Sequence, residues 1–273
     1  YQINPDGVSY ISIARHYLDG HSSAAINGYW SPLLSWLLIP LLWVGTDPLV
    51  AMKLLGIVIG LAVLVTAARL GRVVGLNRAS CRLLVGTLVP IVLYCAYSVV
   101  TPDLLETLLV AAYLSVILRR DFLERRSFAL AAGCLGALAF LAKAYALPFV
   151  GVTFVCLSLW QRFAAGASWR RLFFTWLLFG AAFAAVAAPW VVLISWKYHK
   201  LTCGTTGGFN FALIGPETIE HPMWSQGLFA PPNPFALSAW EDLGLLPFRP
   251  GVHLHQRSSS LFGCDRSLAT SRR

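Results

Sequence analysis

Asp6 stands within Asn4-Pro5-Asp6-Gly7-Val8-Ser9-Tyr10, at the entrance of a segment whose Val8, Ile11 and Leu18 fall on one helical stripe that stops at Gly20. A carboxylate there can cap the helix by accepting backbone N–H bonds. It can equally serve as a general base held at a membrane surface, with Tyr10, Arg15 and His16 as its neighbours. Asp103 and Glu106 form a second acidic position, three residues apart and so on one face of a helix that Thr101 and Pro102 would start. The helix dipole accounts for Asp103; Glu106 lies deeper, where an ionisable group is costly and faces a cavity or a partner. Lys143 separates two apolar runs at the tip of a helical hairpin, where it can snorkel to water or neutralise an anionic group.

Other groupings are weaker. His16, Asp19 and His21, or Glu217, Glu220 and His221, can be drawn as metal clusters, but neither has the spacing of a strong site. No metal ligand set is therefore expected, no cofactor is assigned, and the use of a divalent metal stays open. A Gly-rich phosphate loop, a nucleophile elbow and a zinc signature are all absent from the sequence, which leaves a soluble nucleotide-dependent enzyme unsupported.

The elements that must position these residues are membrane spans. Hydrophobic residues make up 57% of the chain and charged residues 12%, with a mean hydropathy of +0.66, so a soluble fold would have a core with almost no surface. The net charge of +9 is not gathered on one face or in one run, as nucleic-acid binding would require, but lies between apolar stretches. Six such stretches read as spans: Leu49 to Leu70, Leu83 to Val100, Leu104 to Leu118, Phe128 to Ala142, Ala144 to Trp160 and Leu172 to Trp196. The third and fourth fall short of the ~20 residues a bilayer usually requires. The cysteines, Cys81, Cys95, Cys134, Cys156, Cys203 and Cys264, have no paired spacing and read as small buried hydrophobes.

Three basic loops carry Arg69, Arg72, Arg78 and Arg82, then Arg119, Arg120, Arg125 and Arg126, then Arg162, Arg170 and Arg171. All fall on one side of a six-span zigzag, which the positive-inside rule makes cytoplasmic. Asp103, Lys143 and everything after Trp196 then lie outside. The run from Trp30 to Gly45, broken by Pro32 and Pro40, is expected to be interfacial or re-entrant, which leaves Asp6 outside as well, while Lys53 reads as an anchor at the outer boundary. The fold expected is all-α and polytopic, with about six transmembrane helices over residues 1–196. An aromatic, Pro-rich outer loop follows over 197–242, and a disordered or non-native tail over 243–273. The start at Tyr1, without a signal-peptide pattern, predicts a fragment whose N-terminus lies upstream.

Pro5-Asp6-Gly7-x-x-Tyr10 with Ala14, followed by Gly28-Tyr29-Trp30-Ser31-Pro32-Leu33-Leu34-Ser35-Trp36, resembles the first outer loop of GT-C membrane glycosyltransferases, in the protein mannosyltransferase and lipid A aminoarabinose transferase group. Thr101-Pro102-Asp103-Leu104-Leu105-Glu106 is similar to the acidic start of a later helix there. Gly136-Ala137-Leu138-Ala139-Phe140-Leu141-Ala142-Lys143 resembles that group's helix ending in Leu-Thr-Lys-Gly. The match covers most of residues 1–196 and rests on the order and sidedness of motifs that are individually unspecific. Pro231-Pro232-Asn233-Pro234 and Trp240-Glu241-Asp242 are more weakly similar to bacterial members. Two departures stand out: the spanning helix before the first-loop aspartate is missing, and Arg- and Ser-rich sequence replaces the spans that follow the outer loop.

The resemblance implies transfer of a sugar from a polyprenyl-phosphate donor to the hydroxyl of a glycan, lipid or protein, with inversion at the anomeric carbon. The site would face the outside of the bacterial inner membrane, among membrane lipids and with no nucleic acid involved. Asp6 would be the general base; Asp103, with Glu106, would orient it or bind sugar hydroxyls. Tyr10, Arg15, His16 and Lys143 would bind substrate, and Lys143 would stabilise the leaving phosphate. Two other readings stay open: a transporter or flippase using Glu106 and Lys143, and an inactive truncated relative.

Overall fold

The structure is a computed structural model that describes residues 5–208, 210, 234–236, 241 and 242. Among them the fold is all-helical. Three shorter helices come first: α1 (Pro5–Leu18), α2 (Ser22–Ala25) and α3 (Leu33–Trp43). Six more follow as an antiparallel series: α4 (Pro48–Val73), α5 (Arg78–Ser98), α6 (Asp103–Ile117), α7 (Arg126–Ala142), α8 (Ala146–Ala165) and α9 (Trp169–Lys197).

Four of these, α4, α5, α8 and α9, are long and apolar enough to cross a membrane, with 26, 21, 20 and 29 residues. Their outward residues include Val58, Leu61, Val65, Leu83, Ile91, Leu93, Val152 and Val192, all exposed and apolar. Such faces are stable against lipid, not water. The chain is therefore an integral membrane protein. α6 and α7 have only 15 and 17 residues, about 23 and 26 Å of helix at ~1.5 Å per residue. α3, at 11 residues with Pro40 inside it, is shorter still.

Each of the six apolar stretches coincides with a helix, and all but α6 run past their stretch at the arginine-bearing end. α5 starts at Arg78 because the Asn77 side chain accepts from Ser80 N at 2.9 Å, and α9 starts at Trp169 because Ser168 accepts from Arg171 N at 3.3 Å. Caps, not hydropathy, set those ends. Likewise Asp47 accepts from Leu49 N (2.9 Å) and Val50 N (3.2 Å) ahead of Pro48, which opens α4.

Small residues let the inner helices approach closely. Ala129, Ala132, Gly133, Gly136 and Ala137 of α7 are buried, and a Cβ on Gly133 would strike the Phe179 carbonyl of α9. One apolar core joins α1, α3, α4, α6 and α7 through Tyr10, Leu34, Leu38, Met52, Leu105 and Ala139. Another, around Tyr113, Phe122, Phe154 and Phe179, fills the opposite end beneath the arginine-bearing turns. Of the cysteines described, only Cys81 is buried; Cys156 and Cys203 are exposed, so the expectation of buried thiols holds for one position.

α1 departs from the expected amphipathic stripe. Tyr10, Ile11, Ile13 and Ala14 are buried, but so are Ser9, Ser12 and His16, while Leu18 is exposed. The physical reason is a cover on its polar side: the chain returns at Glu241 and Asp242, both buried, to lie against it.

Candidate active site

Asp6 occupies the first turn of α1. Gly7 follows it because a Cβ there would lie 2.5 Å from Val100 Cγ1 and 2.9 Å from Val100 O; only glycine lets α1 press on the linker that leads into α6. That contact brings Asp6 into the neighbourhood of Asp103. Burial and the charge of Asp103 push the Asp6 carboxyl above the usual carboxylate range, against a downward pull from the Lys143 ammonium.

Asp103 opens α6, with Thr101 Oγ1 donating to its Oδ2 at 2.5 Å and Lys143 donating to its Oδ1. Lys143 arrives from a break in the chain: α7 ends at Ala142, Lys143 is extended (φ −155°, ψ 124°), and its carbonyl accepts from Ala146 N at 2.9 Å as α8 begins. Its Nζ also lies 4.0 Å from Glu106 Oε2. One ammonium thus serves two carboxylates on one face of α6.

Tyr10, one turn beyond Asp6, is 3% exposed and meets Trp30 edge-on, with ring centroids 5.3 Å apart at 66°. Burial first, then the charges of Asp6 and Asp103, hold its phenol well above the ordinary range, so it stays a neutral O–H. The loop bearing Tyr29 and Trp30 is shaped by Asn27, whose Oδ1 accepts from both of their amides at 2.9 Å. Tyr29 is likewise shifted upward, by burial and by Asp6.

Below the acidic pair a hollow of about 370 Å³ runs between α6 and α8. It is open to the outside of the bundle: Asp103, Glu106 and Thr107 line one end, and Val110 and Leu114 continue it along α6, with Leu70 of α4 and Phe149 of α8 beside them.

Five of the residues singled out in the sequence therefore converge: Asp6, Tyr10, Asp103, Glu106 and Lys143. Arg15 and His16 do not. Arg15 is exposed near the end of α1, and His16 lies about 15 Å along the helix axis from Asp6, counted at ~1.5 Å per residue. His16 Nε2 sits 2.7 Å from Glu241 Oε1, and His21 stacks on Phe235 with centroids 3.8 Å apart. Lys53 lies over the Tyr97 ring at 5.8 Å. Among the described residues no three His, Cys, Asp or Glu side chains group as metal ligands; Glu217, Glu220 and His221 lie outside those residues.

A second polar cluster escaped sequence reasoning. Glu241 also accepts from Ser12 Oγ, and its carbonyl accepts from Asn27 Nδ2. Asp242 accepts from Lys197 Nζ at 2.6 Å and from the Tyr198 hydroxyl at 2.7 Å, while Lys197 also donates to Ile26 O at 2.5 Å. Gly28 N in turn donates to Tyr198 Oη at 2.9 Å, and Gly28 lacks the Cβ that would lie 2.7 Å from the Tyr198 ring. The two acids thus tie α1, the Ile26–Trp30 loop and the end of α9 together. Only the charges of Glu241 and Asp242 so late in an aromatic segment hinted at this. Comparison with protein-family models, with curated proteins and with solved structures gives no match to the chain.

Proposed function

We propose that this protein is a membrane glycosyltransferase that moves a sugar from a polyprenyl-phosphate donor to an acceptor hydroxyl, with Asp6 as general base. The observation that carries the reading is the grouping of Asp6 with the Asp103–Lys143 pair, where Asp103 and Glu106 also line a groove that turns from charged to apolar along α6. A hydroxyl is a weak nucleophile, so the base must remove its proton as the oxygen attacks the anomeric carbon. The bond from that carbon to the phosphate oxygen breaks, the lipid phosphate leaves with the electron pair, and the configuration inverts.

Lys143 stabilises the phosphate, with Asp103 and Glu106 holding the ammonium at the charged end of the groove while the isoprenoid chain lies along Val110, Leu114 and Phe149. Tyr10, kept neutral, offers a hydroxyl to the sugar. Arg15 and His16 have no part in this assignment.

With α4 to α9 read as six crossings, the positive-inside rule favours the arginine turns in the cytoplasm and the site outside, at the bacterial inner membrane. The shortness of α6 and α7 favours a site recessed among longer neighbours, at the depth where a lipid-borne phosphate arrives.

The test is sugar transfer by the full-length protein in proteoliposomes loaded with a polyprenyl-phosphate sugar. Asp6→Asn should abolish product while leaving insertion intact. Wild-type turnover by that variant removes Asp6 from the mechanism, and uptake without covalent product replaces the transferase with a transporter.

A further inference from the structure

At the end of the molecule opposite Asp6, two adjoining hollows of about 440 and 290 Å³ share Leu123, Glu124, Ser168 and Arg171. The larger adds Arg126 and Arg170; the smaller adds Arg120 and Gln161. Local ion pairing leaves these arginines uncommitted. Asp121 takes Arg119 and Arg125 at 3.1 and 3.0 Å, and among the described residues Arg120, Arg126, Arg170 and Arg171 have no carboxylate within 4.0 Å. Four guanidiniums thus surround one carboxylate, Glu124. The first turn of α9 opens at Ser168 in the same place; Ser168 caps Arg171 N, which leaves the N–H groups of Trp169 and Arg170 outside the helix's own hydrogen bonding.

Gln161 says what else the ligand must carry. It is 7% exposed, and its Nε2 donates to Ile117 O at 2.6 Å and Arg119 O at 3.3 Å, which fixes the orientation of the amide. Its Oε1 is then buried with no hydrogen-bond partner among the described residues. A buried acceptor without a donor is costly, by roughly 1–3 kcal/mol. The site therefore calls for an anion that also bears a hydroxyl.

The walls favour a lipid as its source. Phe174 and Leu178, one turn apart on α9, continue the larger hollow from the arginines toward apolar surface. Exposed Trp169 stands beside that opening, edge-on to Phe163 at 5.9 Å and under the Arg162 guanidinium at 4.8 Å, an arrangement suited to the membrane boundary.

We infer that this end of the protein binds an anionic phospholipid whose phosphodiester head group carries a free hydroxyl, as in phosphatidylglycerol. The arginines and the α9 amides take the phosphate, and Gln161 Oε1 accepts from the head-group hydroxyl. This inference does not depend on the transferase reading.

Native mass spectrometry of the full chain, released from micelles doped with one phospholipid at a time, tests it. Phosphatidylglycerol should be retained at least about tenfold more strongly than phosphatidylcholine, and R170Q/R171Q should cut that retention by about 10- to 30-fold, two cationic contacts being lost. Phosphatidylmethanol, an anionic phosphodiester of the same charge with no head-group hydroxyl, should be retained several-fold less than phosphatidylglycerol. Equal retention of phosphatidylglycerol and phosphatidylcholine, or no loss in a folded R170Q/R171Q, overturns the site. If that variant does not fold, the comparison of lipids on the wild-type chain decides. Phosphatidylmethanol matching phosphatidylglycerol overturns the role of Gln161, and displacement by equimolar soluble glycerol phosphate overturns the lipid origin.

Discussion

Lys143, at the break between α7 and α8, donates to the Oδ1 of Asp103 at the start of α6, across 40 positions of sequence. Both side chains are about half exposed, 43% and 54%, so the pair contributes less than about 1 kcal/mol to stability. Its consequence is electrostatic. The cation sits between Asp103 and Glu106 and also lowers the proton affinity of Asp6, which its own partner Asp103 raises.

Lys143→Met should therefore leave thermal unfolding nearly unchanged while reducing turnover by at least about 100-fold, the loss of one charge aimed at a developing anion. Removing the cation also removes the influence that lowers Asp6, so the acidic limb of the pH–rate profile should move upward. Unchanged turnover would take Lys143 out of the reaction.

Asp103→Asn acts on the same limb with the opposite sign. The base must be ionised, so activity rises with pH through the Asp6 titration, and the raised affinity places that rise above the ordinary carboxylate range. Taking away the negative charge of Asp103 leaves Asp6 easier to ionise, and the limb should move to lower pH. A pH–rate comparison of wild type, D103N and K143M, with the two variants displaced in opposite directions, is the expected result; displacement in the same direction would separate Asp6 from this pair.

The helical zigzag was legible because apolar runs alternate with arginine clusters, and each run became a helix. Its edges were not, because Asn77 and Ser168 cap helices outside the apolar runs they begin. The proximity of Asp6 to Asp103 and Lys143 followed from sidedness, since all three motifs fall at the same end of the zigzag. The surroundings of His16 could not follow from any local pattern. Its partner Glu241 lies 225 positions away, and a helix whose polar side is covered by a distant segment looks amphipathic in its own sequence.

Gly7 makes a packing prediction that does not involve charge. Gly7→Ala should destabilise the protein by about 1–3 kcal/mol, since the new methyl meets both the side chain and the carbonyl of Val100. Val100→Ala in the same chain should return part of that loss and not all of it, because the carbonyl 2.9 Å away remains. Thermal unfolding of the two single variants and the double one measures the coupling; strictly additive losses would mean that α1 is not seated against that linker.

Among the described residues, Asp242 and Lys197 are the most enclosed ion pair with a lysine, with side chains 3% and 16% exposed and 2.6 Å between Nζ and Oδ2. Asp242→Asn should cost about 3 kcal/mol, because the amide keeps the Tyr198 hydroxyl satisfied but leaves the ammonium largely uncompensated. Lys197→Met combined with Asp242→Asn should be more stable than Asp242→Asn alone, since no charge then stays buried. The chemistry separates this clasp from the base. Asp242 reaches the Tyr29–Trp30 loop through Lys197 to Ile26 and through Tyr198 to Gly28, so its loss should loosen Trp30 from Tyr10 and lower turnover. Among the described residues the charges that shift Asp6 are those of Asp103 and Lys143, not that of Asp242, so the acidic limb should stay where it is in the wild-type protein. A pH–rate profile of Asp242→Asn that shifts along with its turnover would place Asp242 in the electrostatics of the site, and not in its support.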